Sequence, residues 1–395
     1  MTPKPWVILA VIVTAQTVAN IGPLGIPAIA SLIRDDLGLT LTQAGSFLSV
    51  YYVGPVAMSF FAGMLADRWG TAKTLVLGQA LIAGGLLAAS AAGSYGLLLL
   101  LLGVAGVGYG TLNPASTTAA MSWFPPHRRA TVVGLKQVGL PAGGMLGAAL
   151  MPVLALRVGW RWAIVAAALA IAACAVLSAT VYRDPPGEAP QRRAGARGAA
   201  GEVLRSRDLW LVALATLVFA GMQTVWMAFL SLYLQEQVGL ALIVASGYLA
   251  LAQGGGVLGR IAFGVLSDRA FGGRRRAPLV LAGCGSAVCS VAIAFVGPGA
   301  GPLLLTPLAL VFGFFGIGWN GVQHTLMAEL AGPRSAGTAV GLGLAISSAG
   351  VMLGPPVFGA CVTAAGGYRG PWIGLALVML AGLGLLGLVR ERSRY

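Results

Sequence analysis

The sequence predicts an all-α membrane protein, with twelve transmembrane helices in two pseudo-symmetric six-helix bundles. Three observations predict this fold class. The 395-residue chain is 57% hydrophobic and only 9% charged, with a mean hydropathy of +0.86. A soluble protein carries about 25% charged residues, so lipid must be the solvent for most of this surface. Long apolar runs recur along the whole chain, and the second half repeats short stretches of the first.

A spanning helix needs about 20 predominantly apolar residues. Such runs fall at 5–33, 42–66, 73–92, 95–124, 130–156, 160–182, 208–236, 242–267, 278–297, 302–328, 335–365 and 370–390. The first begins after Lys4 and could pass for a secretory leader. It continues to Ile33 and many spans follow, so it reads as span 1. Most connections are short. The exception runs from Arg183 to Arg207 and is rich in Arg, Ala, Gly and Pro. It reads as a linker (183–207) between an N-terminal bundle, 1–182, and a C-terminal bundle, 208–395.

An even number of spans puts both termini on one side. Of the 25 lysines and arginines, Arg34, Arg157, Arg161 and Arg369 fall on the opposite side, Lys136 and Arg260 fall inside spans, and all others lie on the side of the termini. Cytoplasmic loops carry such an excess, so both termini and the linker are expected in the cytoplasm and the protein in the inner membrane. The net charge of +14 sits in short turns rather than in a patch interleaved with aromatics, which excludes a nucleic-acid partner. Cys174, Cys284, Cys289 and Cys361 lie inside apolar runs, have no metal-ligand spacing and read as small packing residues.

The internal repeat is specific. Gly63-Met64-Leu65-Ala66-Asp67-Arg68 follows span 2, and Gly264-Val265-Leu266-Ser267-Asp268-Arg269 follows span 8. Ala142-Gly143-Gly144-Met145-Leu146-Gly147 in span 5 matches Ala349-Gly350-Val351-Met352-Leu353-Gly354 in span 11. Equivalents lie six spans apart, so the halves run parallel, a known transporter construction. The stretch Gly63, Leu65, Ala66, Asp67, Arg68 and Gly70 resembles the signature of the major facilitator superfamily in the loop between helices 2 and 3. It departs where the family has a basic pair, with Thr71 and Ala72 before Lys73. The resemblance implies the major facilitator fold and alternating access about a central cavity. It also implies a gating role for Asp67, Arg68, Asp268 and Arg269, whose loops would latch the cytoplasmic side. Each aspartate could accept hydrogen bonds from the exposed amides of a neighbouring helix N-terminus.

No Asp or Glu lies deeper than the end of a span, with Asp208 and Glu329 at cytoplasmic ends, but two cations lie well inside spans. A central Arg or Lys costs about 2.5–3.5 kcal/mol on insertion scales, so each is a functional candidate. Arg260 lies eight residues before Asp268, about 12 Å along the helix, and leans toward the midplane. Gln253 and Ser267 share its stripe, with Gly256 and Gly264 beside it. Lys136 lies about 10 Å deep by the same rise and leans toward the cytoplasm, which it could reach by snorkelling. Two such cations favour an anionic solute. Arg260, Gly264, Asp268 and Arg269 resemble helix 8 of the oxalate–formate exchanger and monocarboxylate transporter branches, where the arginine binds the substrate carboxylate. Gly134-Leu135-Lys136-Gln137 is similar to cyanate-permease-like members.

Polar and aromatic residues recur on spans 1, 4, 7 and 10, which are central helices in the family. Gln16 and Asn20, Tyr109 and Asn113, Gln223 and Trp226, and Trp319, Asn320 and Gln323 are the candidates, with Tyr51 and Tyr52 on span 2. Such side chains either line a cavity or join helices. His324, the one histidine within a span, is a candidate for carrying a coupling proton.

No nucleophile–base pair, paired carboxylates or metal ligands cluster in the sequence, so no enzyme, metal or cofactor is expected. The expected function is secondary transport of a small organic anion, monocarboxylate-like, by proton symport or by exchange. The chain is expected to act as a monomer in the bilayer. An exporter of drugs or neutral metabolites with the same fold is the alternative.

Overall fold

A computed structural model describes residues 5–124, 129–184, 196–332 and 335–391, with the side chains at 59–60, 62–64, 66–68, 120–121, 129–131, 196–200 and 336–337 outside the described set. Every described element is helical. The first span is α1 (Pro5–Gly25), a 3-10 turn (Ile26–Ile29) and α2 (Ala30–Leu37). Then follow α3 (Leu41–Trp69), α4 (Thr71–Ser90), α5 (Tyr95–Ser122), α6 (Arg129–Val158) and α7 (Trp160–Val181). A short α8 (Ala196–Arg205) occupies part of the expected linker. The second set is α9 (Arg207–Glu236), α10 (Leu242–Arg269), α11 (Arg276–Ala294), α12 (Pro302–Phe312) with a π turn (Gly313–Ile317) and α13 (Asn320–Ala331), α14 (Ala336–Ala365) and α15 (Arg369–Gly387).

Eleven segments among the described residues are long and apolar enough to cross a membrane. The 29-residue α3, some of whose side chains lie outside the described set, takes the place of the second expected span. The chain divides into two compact units: 1–191 with 241–250, and 192–240 with 251–395.

Within each unit the helices are drawn together by glycines that face a neighbouring backbone. A Cβ on Gly143 would stand 2.2 Å from the Thr17 carbonyl oxygen, and one on Gly147 2.2 Å from that of Ile21, where α6 crosses α1. The repeat places the same seam between α14 and α9: Gly350 against the Leu217 oxygen at 2.0 Å, and Gly354 against that of Gly221 at 3.0 Å. A second seam joins α3 to α5, with Gly106 against the Tyr51 oxygen at 2.0 Å. Its counterpart sets Gly313 against the Ala252 oxygen at 1.8 Å. No water-driven force holds helices together in lipid, so close backbone approach and its dispersion energy take over. The repeated glycine motifs are therefore the contact surfaces of the two bundles.

Two breaks interrupt spans that sequence leaves continuous. Span 1 tightens at Ile26–Ile29, where Pro27 opens the 3-10 turn, and Gly38 ends α2 in the left-handed region at φ 62°. Span 10 loosens into the π turn at Gly313–Ile317, beside the Gly313 seam. Carbonyls at this break are taken by nearby side chains. Trp319 Nε1 donates to the Gly316 oxygen at 3.0 Å and Asn320 Nδ2 to that of Ile317 at 3.1 Å. Such π turns concentrate at functional sites.

Candidate functional site

In the first unit, one hydrogen-bonded network gathers most of the expected residues. Gln16 and Asn20 lie one turn apart on α1, so they share a face. Gln16 Nε2 donates to the Tyr109 hydroxyl at 3.2 Å, and Gln16 Oε1 faces the Ser116 hydroxyl at 3.3 Å. Ser116 carries one proton and also lies 2.9 Å from the Asn113 carbonyl oxygen, so the two acceptors compete for it. The network ends on Lys136. Its Nζ donates to the Asn113 carbonyl oxygen at 3.1 Å, to Asn113 Oδ1, and to Thr117 Oγ1 at 3.0 Å.

Lys136 is fully buried, so the snorkelling that its lean allowed does not occur. An ammonium has three donors, and these three oxygens, all neutral and all from α5, match them. Asn113 and Thr117 lie four residues apart and face α6 together, which captures the charge before it can reach a helix end. Tyr51, Tyr52 and Tyr109 form a wall beside this network, with ring centroids 5.6 to 6.2 Å apart.

In the second unit, the Asn320 amide donates to Gln223 Oε1 at 3.3 Å, which joins α13 to α9. Asn320 sits at the residue equivalent to Asn113 in the repeat. Trp319 is buried against Phe219, at 5.4 Å between centroids, and Trp226 stacks on Phe312 at 3.8 Å. Trp226 also donates to Ser290 Oγ at 2.8 Å. Both tryptophans are thus packing residues, because their large faces find aromatic partners inside the bundle. Gln253 is buried on α10, and neither polar atom of its amide has a hydrogen-bond partner among the described residues. Arg260, two turns further along, is half-buried, and His324 is half-buried on α13.

The expected gating residues stand at helix ends. Asp67 and Arg68 lie in the last turn of α3, and their side chains are outside the described residues. Asp268 and Arg269 end α10 and are exposed. Asp268 pairs with the Arg275 guanidinium rather than with helix amides. Arg275 also donates to Ser267 Oγ at 2.8 Å and binds Glu329 at 3.2 Å, so it ties α10 to the end of α13. Burial works against the Arg275 charge, but the hydrogen bonds it donates to Asp268 and Glu329 outweigh it and raise the pKa above the ordinary arginine value. Arg275 follows Arg274 and precedes Arg276 in a basic run that was not among the expected gating residues. Its spacing of seven from Asp268 was the available signal.

Two bundles of spanning helices, seamed by repeated glycines and each carrying polar side chains inside its spans, define a membrane carrier. The Major Facilitator Superfamily model matches residues 8–355, and the chain belongs to that family. It is 28% identical to a probable sulfoacetate transporter of Cupriavidus necator, over 93% of this chain and 89% of that one. It is 25% identical to a hexuronate transporter of Bacillus subtilis, over 91% and 89% respectively. The crystal structure of a bacterial homolog of the human lysosomal transporter Spinster superposes with a TM-score of 0.84 at 18% identity, covering 98% of this chain and 97% of that one, and so shares the fold.

Proposed function

We propose that this protein is a secondary active transporter of a small organic anion, monocarboxylate-like, working by alternating access and coupled to protons or to a counter-anion. The observation that carries the reading is the fully buried Lys136 ammonium, held inside the first unit by Asn113 and Thr117. A charge in a spanning segment is expensive and marks a solute or ion path by default. Arg260 supplies a second cation within the spans of the other unit, and a guanidinium offers a carboxylate two parallel hydrogen bonds. The relatives named for sulfoacetate and hexuronate transport carry anionic cargo, in keeping with this chemistry. The excess of basic residues on the side of the termini supports an inner-membrane protein with both ends in the cytoplasm. Asp67 in the first unit, and Asp268 with the Arg275 cluster in the second, are the gating candidates of their own units, and His324 is the candidate proton carrier.

The test is uptake into proteoliposomes of a labelled panel of small carboxylates and sulfonates beside neutral drugs. Wild-type protein is expected to move anions. Lys136→Met and Arg260→Gln are each expected to lower that uptake at least tenfold while the protein still purifies as a folded monomer. Movement of neutral drugs and no anions would support the exporter alternative and overturn the anion reading.

A further inference from the structure

We propose that Asn20 and Tyr51 form a subsite that reads a hydroxyl group on the transported anion, so that hydroxy acids are favoured over their deoxy counterparts. The inference rests on the organic-anion reading above and names a specificity element within it. Both side chains are buried, and each holds a polar atom with no hydrogen-bond partner among the described residues: Asn20 Oδ1 and the Tyr51 hydroxyl. Buried polar groups are nearly always paired, so two such atoms beside one network need an explanation.

The geometry limits what can fill the need. Asn20 Nδ2 donates to the Gln16 carbonyl oxygen at 2.6 Å, one turn back on α1. That bond fixes the amide orientation and turns Oδ1 away from its own backbone. Tyr51 is held by the Gly106 seam on its carbonyl and by its ring, 5.6 Å from that of Tyr109. Asn20 thus adjoins Gln16 and Tyr51 adjoins Tyr109, the two side chains that are hydrogen-bonded to each other. An amide oxygen can only accept, whereas a phenol can donate. A solute hydroxyl does both: it donates to Asn20 Oδ1 and accepts from Tyr51. A carboxylate cannot donate to Asn20 Oδ1, so the negative group of the solute is excluded from this subsite and left to the cations. The hydroxyl of a buried water has the same chemistry and is the competing occupant.

Matched pairs of labelled carboxylates that differ by one hydroxyl distinguish the two: glycolate and acetate, lactate and propionate, 3-hydroxybutyrate and butyrate. Wild-type protein in proteoliposomes is expected to take up the hydroxylated member of at least one pair about tenfold faster, the size of one well-made hydrogen bond. Tyr51→Phe is expected to lower that member about tenfold more than its partner, bringing the ratio near one. Asn20→Ala should act in the same direction. Tyr51→Phe removes only an oxygen without a partner, so its melting temperature should not fall. A wild-type ratio near one, a preference that survives Tyr51→Phe (the outcome if the site holds only water), or a parallel fall of both members would overturn the inference while the anion reading stands. Uptake of no anion at all would overturn both.

Discussion

Asp184, three residues past the end of α7, accepts the backbone N–H of Ala72 with both carboxylate oxygens, at 3.1 and 3.3 Å. Ala72 lies in the first turn of α4, where helix amides lack internal partners and the helix dipole favours negative charge. Glu391, past the end of α15, does the same for α11: it accepts the Arg275 and Arg276 amides, the latter at 3.3 Å. The two carboxylates stand 207 residues apart, at the spacing that relates Gly143 to Gly350. The chain leaving the sixth span of each unit therefore caps the third.

Neutralising or removing these caps should loosen both units alike. Asp184→Asn and Glu391→Gln are each expected to lower thermal stability by about 1 kcal/mol or less, since an amide keeps an acceptor. Asp184→Ala and Glu391→Ala should cost about twice as much, within the 0.5–2 kcal/mol range of cap removals. The caps lie in different units, so the double variant should show the sum. Melting of purified protein in detergent checks this.

Arg275→Lys should weaken the second unit although it keeps the charge. A lysine cannot serve Asp268, Ser267 and Glu329 from one planar fork. Asp268 is 66% exposed, so that pair contributes at most about 1 kcal/mol and the half-buried Glu329 pair more. Transport is expected to fall several-fold. Because the folded pKa of Arg275 is raised, the stability it supplies is complete below the ordinary arginine value and is lost only as pH rises through it. Titration of this guanidinium therefore adds no pH dependence near neutrality, which rate measurements across neutral pH would test.

Gly106→Ala and Gly313→Ala should each be severe, because the added methyl would stand 2.0 and 1.8 Å from a carbonyl oxygen of the neighbouring helix. A loss of several kcal/mol or failure to fold is expected, in line with overpacking. Gly134→Ala and Gly341→Ala meet nothing within 4 Å and sit within helices. They should be neutral or add up to about 1 kcal/mol. Expression level and melting temperature separate the two classes.

Asn113→Asp separates charge from architecture. The carboxylate would keep the acceptor that Lys136 uses while cancelling its charge. The protein should remain folded, and anion uptake should fall at least tenfold. Retention of wild-type uptake would show that the Lys136 charge does not attract the solute.

Most helices were legible because a membrane span is a matter of length and composition, and those are read directly. The breaks at Ile26–Ile29 and Gly313–Ile317 were not, because an apolar run is indifferent to hydrogen-bond pitch. The segment Ala196–Arg205 reads as linker on composition, yet it forms α8. Asn113 and Lys136 were legible as candidates, but their pairing depends on which face α5 turns to α6. The direction a side chain leans pointed Lys136 toward water, and the acceptors on α5 decided otherwise. Asp184 and Glu391 were missed, although the repeat spacing links them.

The glycine seams carry a lesson about ancestry. If the two halves descend from one duplicated gene, their joints were copied and then held fixed, since a single methyl at Gly143 or Gly350 would pry the helices apart. The chemistry was free to diverge. Gly343 occupies the residue that matches Lys136, and Gly316 the one that matches Tyr109. A symmetric chassis with unlike interiors lets one copy specialise its equipment while both keep the same mechanics.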